Sequence, residues 1–296
     1  MNIVNLRVWS IFVLILAPLA GTTLETARAA DDVQIQADVV YGHKDGMALT
    51  YDVLKPAKPN GAGVIFVQSG GWYSVWQEPK NLIGPSMPLL SQGITVLIVR
   101  HGSSPKYAVP DAIADMRRSV RFIRLHAKDY GLDADRLGVF GGSAGGHLAL
   151  MLAAGSDEGN SNSKDEVLRQ SDRIAAAVAL YAPTDLRGWV KNPPVEIKKL
   201  AWIKPSLTFD EAKEKDCSPL LLVTSKTAPT LLIHGDKDLL VPISHSNNMI
   251  AALQMSNVDS KFLTIEGAAH GFNAKQNETV VPAIVDWFVK HLDVKK

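Results

Sequence analysis

The sequence predicts an α/β fold: a mostly parallel sheet of about eight strands with helices on both faces. Three observations predict it. Short β-rich apolar runs alternate with helical patterns along most of the chain. The later runs are continuously apolar rather than alternating, as parallel strands covered on both faces must be. The composition, 46 % hydrophobic and 21 % charged residues in a chain of 296, is that of a globular protein and excludes a disordered one.

The first segment stands apart from the fold. Arg7 precedes an apolar run over residues 8–20, Pro18 interrupts that run, and Ala27-Arg28-Ala29 supplies the small residues of a cleavage site. A span needs ~20 apolar residues, so residues 1–29 are expected to be a cleaved secretory signal, leaving no stable membrane span and a secreted or periplasmic protein. Residues 30–296 then form a single domain, with 29 basic and 29 acidic residues. No basic block exists, which argues against a nucleic-acid partner. Cys217 is the only cysteine, so intrachain disulfides, CxxC pairs and cysteine-rich zinc sites are excluded. Glycine shows no repeating period, which removes collagen-like and simple repeat architectures.

Strands are expected at residues 33–40, 49–54, 64–68, 95–100, 137–140, 174–181, 230–234 and 261–265. The first two flank a Lys44-Asp45-Gly46 turn and suggest an antiparallel start. A helix over 111–130 sets Ile113, Met116, Val120, Ile123 and Ala127 on one stripe, with Arg117, Arg121, Arg124 and Lys128 largely elsewhere, and Gly131 ends it. Asp115 and these arginines, with Arg118, read as a helix-surface ion-pair set. Residues 144–154 are small and apolar, as in a buried helix. Residues 280–292 are amphipathic through Ile284, Trp287, Phe288 and His291. Residues 155–164 are a polar, mobile loop. Residues 187–226, rich in proline and carrying Trp189 and Trp202, read as an insertion of short helices over one end of the sheet.

The chemistry begins at Gly141-Gly142-Ser143-Ala144-Gly145. A serine on a sharp strand-to-helix turn needs small neighbours, and the helix amino terminus favours negative charge beside it. Without a following Lys-Ser/Thr, a phosphate loop is excluded. Serine alone is a weak nucleophile, so a base and an orienting acid must follow. His270, in the small-residue loop Gly267-Ala268-Ala269-His270-Gly271-Phe272, is the expected base. His147 and His234 are expected to hydrogen-bond structurally; His101 and His245 lack such a loop. Asp238 in His234-Gly235-Asp236-Lys237-Asp238-Leu239-Leu240-Val241-Pro242 is the expected acid, because it reaches further than the alternative, Asp236.

The order Ser143, Asp238, His270, with Tyr181-Ala182-Pro183-Thr184-Asp185-Leu186, resembles an α/β-hydrolase of the secreted esterase/lipase group over residues from about 36 to 292. That group includes hormone-sensitive-lipase-like, acetylxylan and feruloyl esterases. The resemblance implies a carboxylic-ester hydrolase working through an acyl-enzyme on a small-molecule or polysaccharide ester, with no cofactor and no metal. The family carries His-Gly-Gly-Gly-Trp after its third strand; here the stretch is Gln68-Ser69-Gly70-Gly71-Trp72. Gly70, Gly71 and the N–H of Ala144 are the expected oxyanion donors. Ser69 is expected to narrow the acyl side, favouring short acyl groups. Trp72 and Tyr73, followed by Trp76, are candidate substrate-lining residues. Asp185 is read as structural. A prolyl-oligopeptidase-like exopeptidase and a catalytically silent binding protein are the competing readings. The former generally carries a large extra domain that this chain cannot hold, and the latter typically lacks a triad member.

Overall fold

The computed structural model describes residues 32–294; the expected signal over 1–29 lies outside the described residues. The elements run β1 (Gln34–Lys44), β2 (Met47–Lys55), β3 (Gly63–Val67), α1 (Lys80–Leu90), β4 (Thr95–Val99), α2 (Val109–Leu125) and β5 (Leu137–Gly142). They continue with α3 (Ala144–Gly155), β6 (Ala176–Leu180), α4 (Val195–Lys198), β7 (Thr230–Gly235), α5 (Ser244–Met255), β8 (Ser260–Ile265) and α6 (Ala274–His291). One eight-stranded sheet has the order β1-β2-β4-β3-β5-β6-β7-β8. β1 and β2 are antiparallel, β2 meets β4 antiparallel, and the remaining pairs are parallel.

Alternate residues of the central strands feed two cores. Ile65, Leu97, Val99 and Val139 face Met116, Val120 and Ile123 of α2 and Leu148 and Leu152 of α3. Val64, Val96, Ile98, Phe140 and Val178 face Leu82 and Leu89 of α1 and Ile284, Trp287 and Phe288 of α6. A fully buried side chain of this size contributes ~1.5–3 kcal/mol, so the sheet must be covered on both sides. Every residue of β4 and β5 is buried, which accounts for their continuously apolar sequence. The antiparallel edge is fastened to this core by Arg100: its guanidinium meets the buried Asp52 carboxylate at 2.5 and 2.9 Å and reaches Asp38 at 3.0 Å.

Three expectations need correction. Helix α1 has no counterpart in the sequence reading, because Pro85 and Pro88 lie inside it. The long helix expected over 111–130 is α2 followed by a 3₁₀ turn, Ala127–Tyr130; Gly131 stops it with a left-handed φ of 71°. The arginines of α2 are not a surface set, for Arg121 is itself buried. Arg117 and Arg121 both reach Asp157 and the fully buried Asp172, while Arg118 meets Asp165 at 2.6 Å. The pairs to Asp157 anchor the start of the polar loop over 155–164. Among the described residues no helix is long and apolar enough to cross a membrane.

Candidate active site

Ser143 follows β5 directly and precedes α3, with φ 54° and ψ −123°. A non-glycine residue is strained there, and the neighbouring backbone holds it: Ser143 N–H donates to the Leu180 carbonyl (2.9 Å) and its carbonyl accepts from His147 N–H (2.9 Å). The flanking glycines are required by space. A Cβ on Gly141 would lie 2.5 Å from the Gly145 carbonyl carbon, and one on Gly145 2.6 Å from the Val67 oxygen.

His270 comes from the loop after β8. Its Nε2 lies 2.8 Å from Ser143 Oγ and its Nδ1 2.7 Å from Asp238 Oδ2. Asp238 comes from the turn after β7; its Oδ1 accepts the N–H groups of Leu240 (2.9 Å) and Val241 (3.0 Å). Burial alone would raise this carboxyl. Hydrogen bonds from His234 and His270, the charge of His270 and the Val241 N–H outweigh burial and hold it at about 2. Asp238 is therefore an anion that fixes His270 with Nδ1–H towards it and Nε2 free to accept the serine proton. The alternative acid, Asp236, faces elsewhere: its Oδ1 accepts from Gly267 N–H at 2.6 Å and braces the loop that carries His270. The Tyr181 ring stands edge-on to His270, with centroids 4.8 Å apart.

The opposite wall is the loop over 68–74. Gly70 and Tyr73 exchange both backbone hydrogen bonds (3.0 and 2.9 Å), so the Gly70 N–H is engaged and corrects its expected role as a donor. The N–H groups of Gly71 and Ala144 carry no hydrogen bond within the described residues. Gly71 (φ 55°) is pressed against the insertion: a Cβ there would lie 2.5 Å from the Trp202 ring, and its carbonyl accepts from Ser206 Oγ at 2.8 Å.

Trp72, expected to line the substrate site, is 2 % exposed. Its Nε1–H donates to His147 Nδ1 (3.1 Å), and its ring meets Trp189 edge-on. His147 Nε2 is 2.8 Å from the Cys217 carbonyl, which only accepts, so Nε2 carries the proton and Nδ1 is the acceptor. Burial pushes His147 down to about 4 and keeps it neutral. Tyr73 and Trp76, in contrast, are exposed, and Trp76 Nε1–H donates to Asp38 at 3.2 Å.

Ser69 is held by a histidine that the sequence reading did not connect to it. His101 donates from Nδ1 to the Gly102 carbonyl (2.8 Å) and accepts the Ser69 hydroxyl at Nε2 (2.8 Å). Burial lowers His101 to about 4, so it stays an acceptor. His245, half-buried and edge-on to Trp189, accepts the Thr184 N–H at 3.1 Å and is likewise lowered to about 4 by desolvation. Asp185 braces the start of the insertion, meeting Arg187 at 2.6 Å. Among the described residues no group of three acidic, histidine or cysteine side chains could hold a metal ion.

Chemically, the arrangement can move a proton from the Ser143 hydroxyl to His270 Nε2 while Asp238 steadies the charge that forms. The N–H of Ala144 directly follows the same serine.

The BD-FAE family model matches residues 51–253, more than half of the chain. Esterase LipC of Mycobacterium tuberculosis is 28 % identical over 247 residues, covering 79 % of this chain and 59 % of its own length. Ethyl acetate hydrolase of Pseudomonas putida is 25 % identical, covering 83 % and 78 %. Among solved structures, a truncated carbohydrate esterase from gut microbiota superposes with a TM-score of 0.71 at 21 % identity, covering 88 % of this chain and 96 % of that one. The fold is thus that of α/β-hydrolase esterases. The chain spans 59 and 62 % of the length of the first two curated relatives it matches.

Proposed function

Since the chain belongs to the BD-FAE family, we propose that it is a serine carboxylic-ester hydrolase acting on short-chain acyl esters through an acyl-enzyme. One observation carries the reading: a single imidazole, His270, bridges Ser143 Oγ at 2.8 Å and Asp238 Oδ2 at 2.7 Å. Ser143 Oγ attacks the ester carbonyl as His270 Nε2 takes its proton. The developing oxyanion is received by the N–H groups of Gly71 and Ala144, which are worth most in a site that excludes water. The intermediate collapses as His270 returns the proton to the departing alcohol, leaving the acyl group on Ser143. Water, deprotonated by His270, then releases the acid.

Three features support a short acyl group. Ser69, pinned to His101, adds bulk where the family has glycine. The insertion closes down on Gly71. A relative at 25 % identity is an ethyl acetate hydrolase. The exposed rings of Tyr73 and Trp76 offer apolar faces to the alcohol portion, a sugar ring or an aryl group. This suits an acetylated or feruloylated polysaccharide. With residues 1–29 as a cleaved leader, the enzyme acts outside the cytoplasm. Protein from its native host should begin at Ala30; an intact Met1 in a membrane fraction would contradict export.

The test is kcat/KM across p-nitrophenyl esters from C2 to C16, beside aminoacyl amides and with a fluorophosphonate probe. A maximum at C2–C4 and labelling of Ser143 are expected. An optimum at C10 or beyond overturns the short-acyl reading, preference for amides the esterase reading, and an unlabelled Ser143 the serine mechanism.

A further inference from the structure

His234 has no part in the steps above, yet it touches the group that orients the base. It is the penultimate residue of β7, is fully buried, and stands four residues before Asp238. Its Nε2 lies 2.8 Å from the Val241 carbonyl and 3.2 Å from Asp238 Oδ2, while its Nδ1 lies 2.7 Å from Ser246 Oγ. A carbonyl oxygen only accepts, so Nε2 carries the proton and shares it between Val241 and Asp238. Nδ1 then accepts the Ser246 hydroxyl, and Ser246, in the first turn of α5, is 2 % exposed. One ring thereby ties together the end of β7, the acid, the end of its turn and the next helix.

We propose that His234 is a positioning residue that acts through Asp238: as the second imidazole donor to Oδ2, it sets how strongly that carboxylate pulls on His270. The inference rests on the serine-hydrolase reading. Oδ1 is filled by two backbone N–H groups and Oδ2 by two imidazoles, so the carboxylate has no spare direction in which to turn. Each donor to Oδ2 draws negative charge from it. With His234 removed, Oδ2 faces His270 alone, the imidazolium of His270 is better stabilised, and His270 holds its proton to a higher pH. The other titratable groups nearby are His245 on α5, which feels the charges of His234, Asp238 and Asp185, and Tyr181, whose ring faces His270. Neither hydrogen-bonds to His234.

The experiment measures kcat/KM for p-nitrophenyl acetate between pH 4 and 9 in the parent, His234→Leu, His234→Gln and Ser246→Ala. His234→Leu should move the acid limb upward by about 0.5–1 pH unit and lower the plateau about tenfold. His234→Gln places an amide N–H near the position of the imidazole Nε2–H and should return the limb to within about 0.2 of the parent. Ser246→Ala leaves Nδ1 without its donor while the Nε2 proton stays between its two acceptors, so it loosens the ring's hold on Oδ2 and should move the limb in the same direction by less. A merely structural role would lower the plateau and leave the limb unmoved in every variant, and that result overturns the proposal. So does a shift in His234→Gln equal to that in His234→Leu. If His234→Leu fails to fold by circular dichroism, Ser246→Ala and His234→Gln decide: an unmoved Ser246→Ala limb, or a Gln limb shifted further than it, overturns the proposal. Ser143→Ala is run alongside, because persistent turnover there defeats the serine reading itself, whatever the limbs do.

Discussion

The two walls of the site are built differently. Ser143, Asp238 and His270 stand one, three and five residues beyond the ends of β5 (Gly142), β7 (Gly235) and β8 (Ile265), so each is placed by the strand that precedes it. The facing loop over 68–74 also follows a strand, but its shape comes from far away. Ser206, 135 residues distant in sequence, holds the Gly71 carbonyl; His147 holds Trp72 and is itself held by Cys217. A wall placed by local backbone can lose a side chain and keep its form. A wall clamped by remote side chains loses form and function together.

The largest expected effects test the first wall. Ser143→Ala and His270→Ala should each lower kcat at least ~10³-fold with the melting temperature little changed, because such residues act as a unit while the strands hold the backbone. Asp238→Asn should cost on the order of 10²–10⁴-fold, and Asp236→Asn far less, since Asp236 braces the Gly267 N–H and does not touch His270. Steady-state kinetics beside thermal melts check both; the reverse ranking of the aspartates would make Asp236 the acid.

The second wall should fail in both readouts. His147→Leu leaves the Trp72 N–H and the Cys217 carbonyl buried without partners, at ~1–3 kcal/mol each, and should lower kcat about 10–100-fold as the Gly71 donor drifts. A full loss of kcat with an unchanged melt would erase the contrast between the walls. Ser206→Ala removes one hydrogen bond to Gly71 and should cost ~0.5–1.5 kcal/mol, with a few-fold loss of kcat.

A further effect is graded with pH. His101, His147 and His245 sit at about 4 in the folded chain, against ~6.5 unfolded. Their contribution is therefore whole above ~6.5. As pH falls from there towards 4 the unfolded chain takes up protons that the folded one refuses, and stability declines by up to ~1.4 kcal/mol per unit for each ring. Urea midpoints at pH 7.5, 6 and 5 should fall in that order, less steeply in His147→Leu. A midpoint constant over this range contradicts neutral imidazoles at these three positions.

The same division governed what could be read beforehand. The central strands were legible because they are continuous apolar runs, the outer ones because they are short β-rich runs, and Ser143, Asp238 and His270 because each lies in a short motif tied to a strand end. Helix α1 was hidden by its two prolines. Trp72 was misplaced because its neighbours in sequence, Tyr73 and Trp76, do face solvent, whereas its own partners, His147 and Trp189, lie 75 and 117 residues on. The Gly70 N–H was miscounted because only the folded turn brings the Tyr73 carbonyl back to it. Side chains whose place depends on a distant partner leave no local periodicity to read.

The contact between Trp202 and Gly71 limits how this scaffold can be re-engineered. Specificity is commonly altered by exchanging the segment over the mouth of a site as a cassette. Here residues 187–226 cannot be treated that way, because Trp189, Trp202, Ser206 and Cys217 are also the mould in which the loop over 68–74 is cast. A graft that keeps those four and varies the solvent-facing positions, such as Val195, changes the rim alone. One that replaces them discards the packing and the hydrogen bond that hold Gly71 along with the insertion.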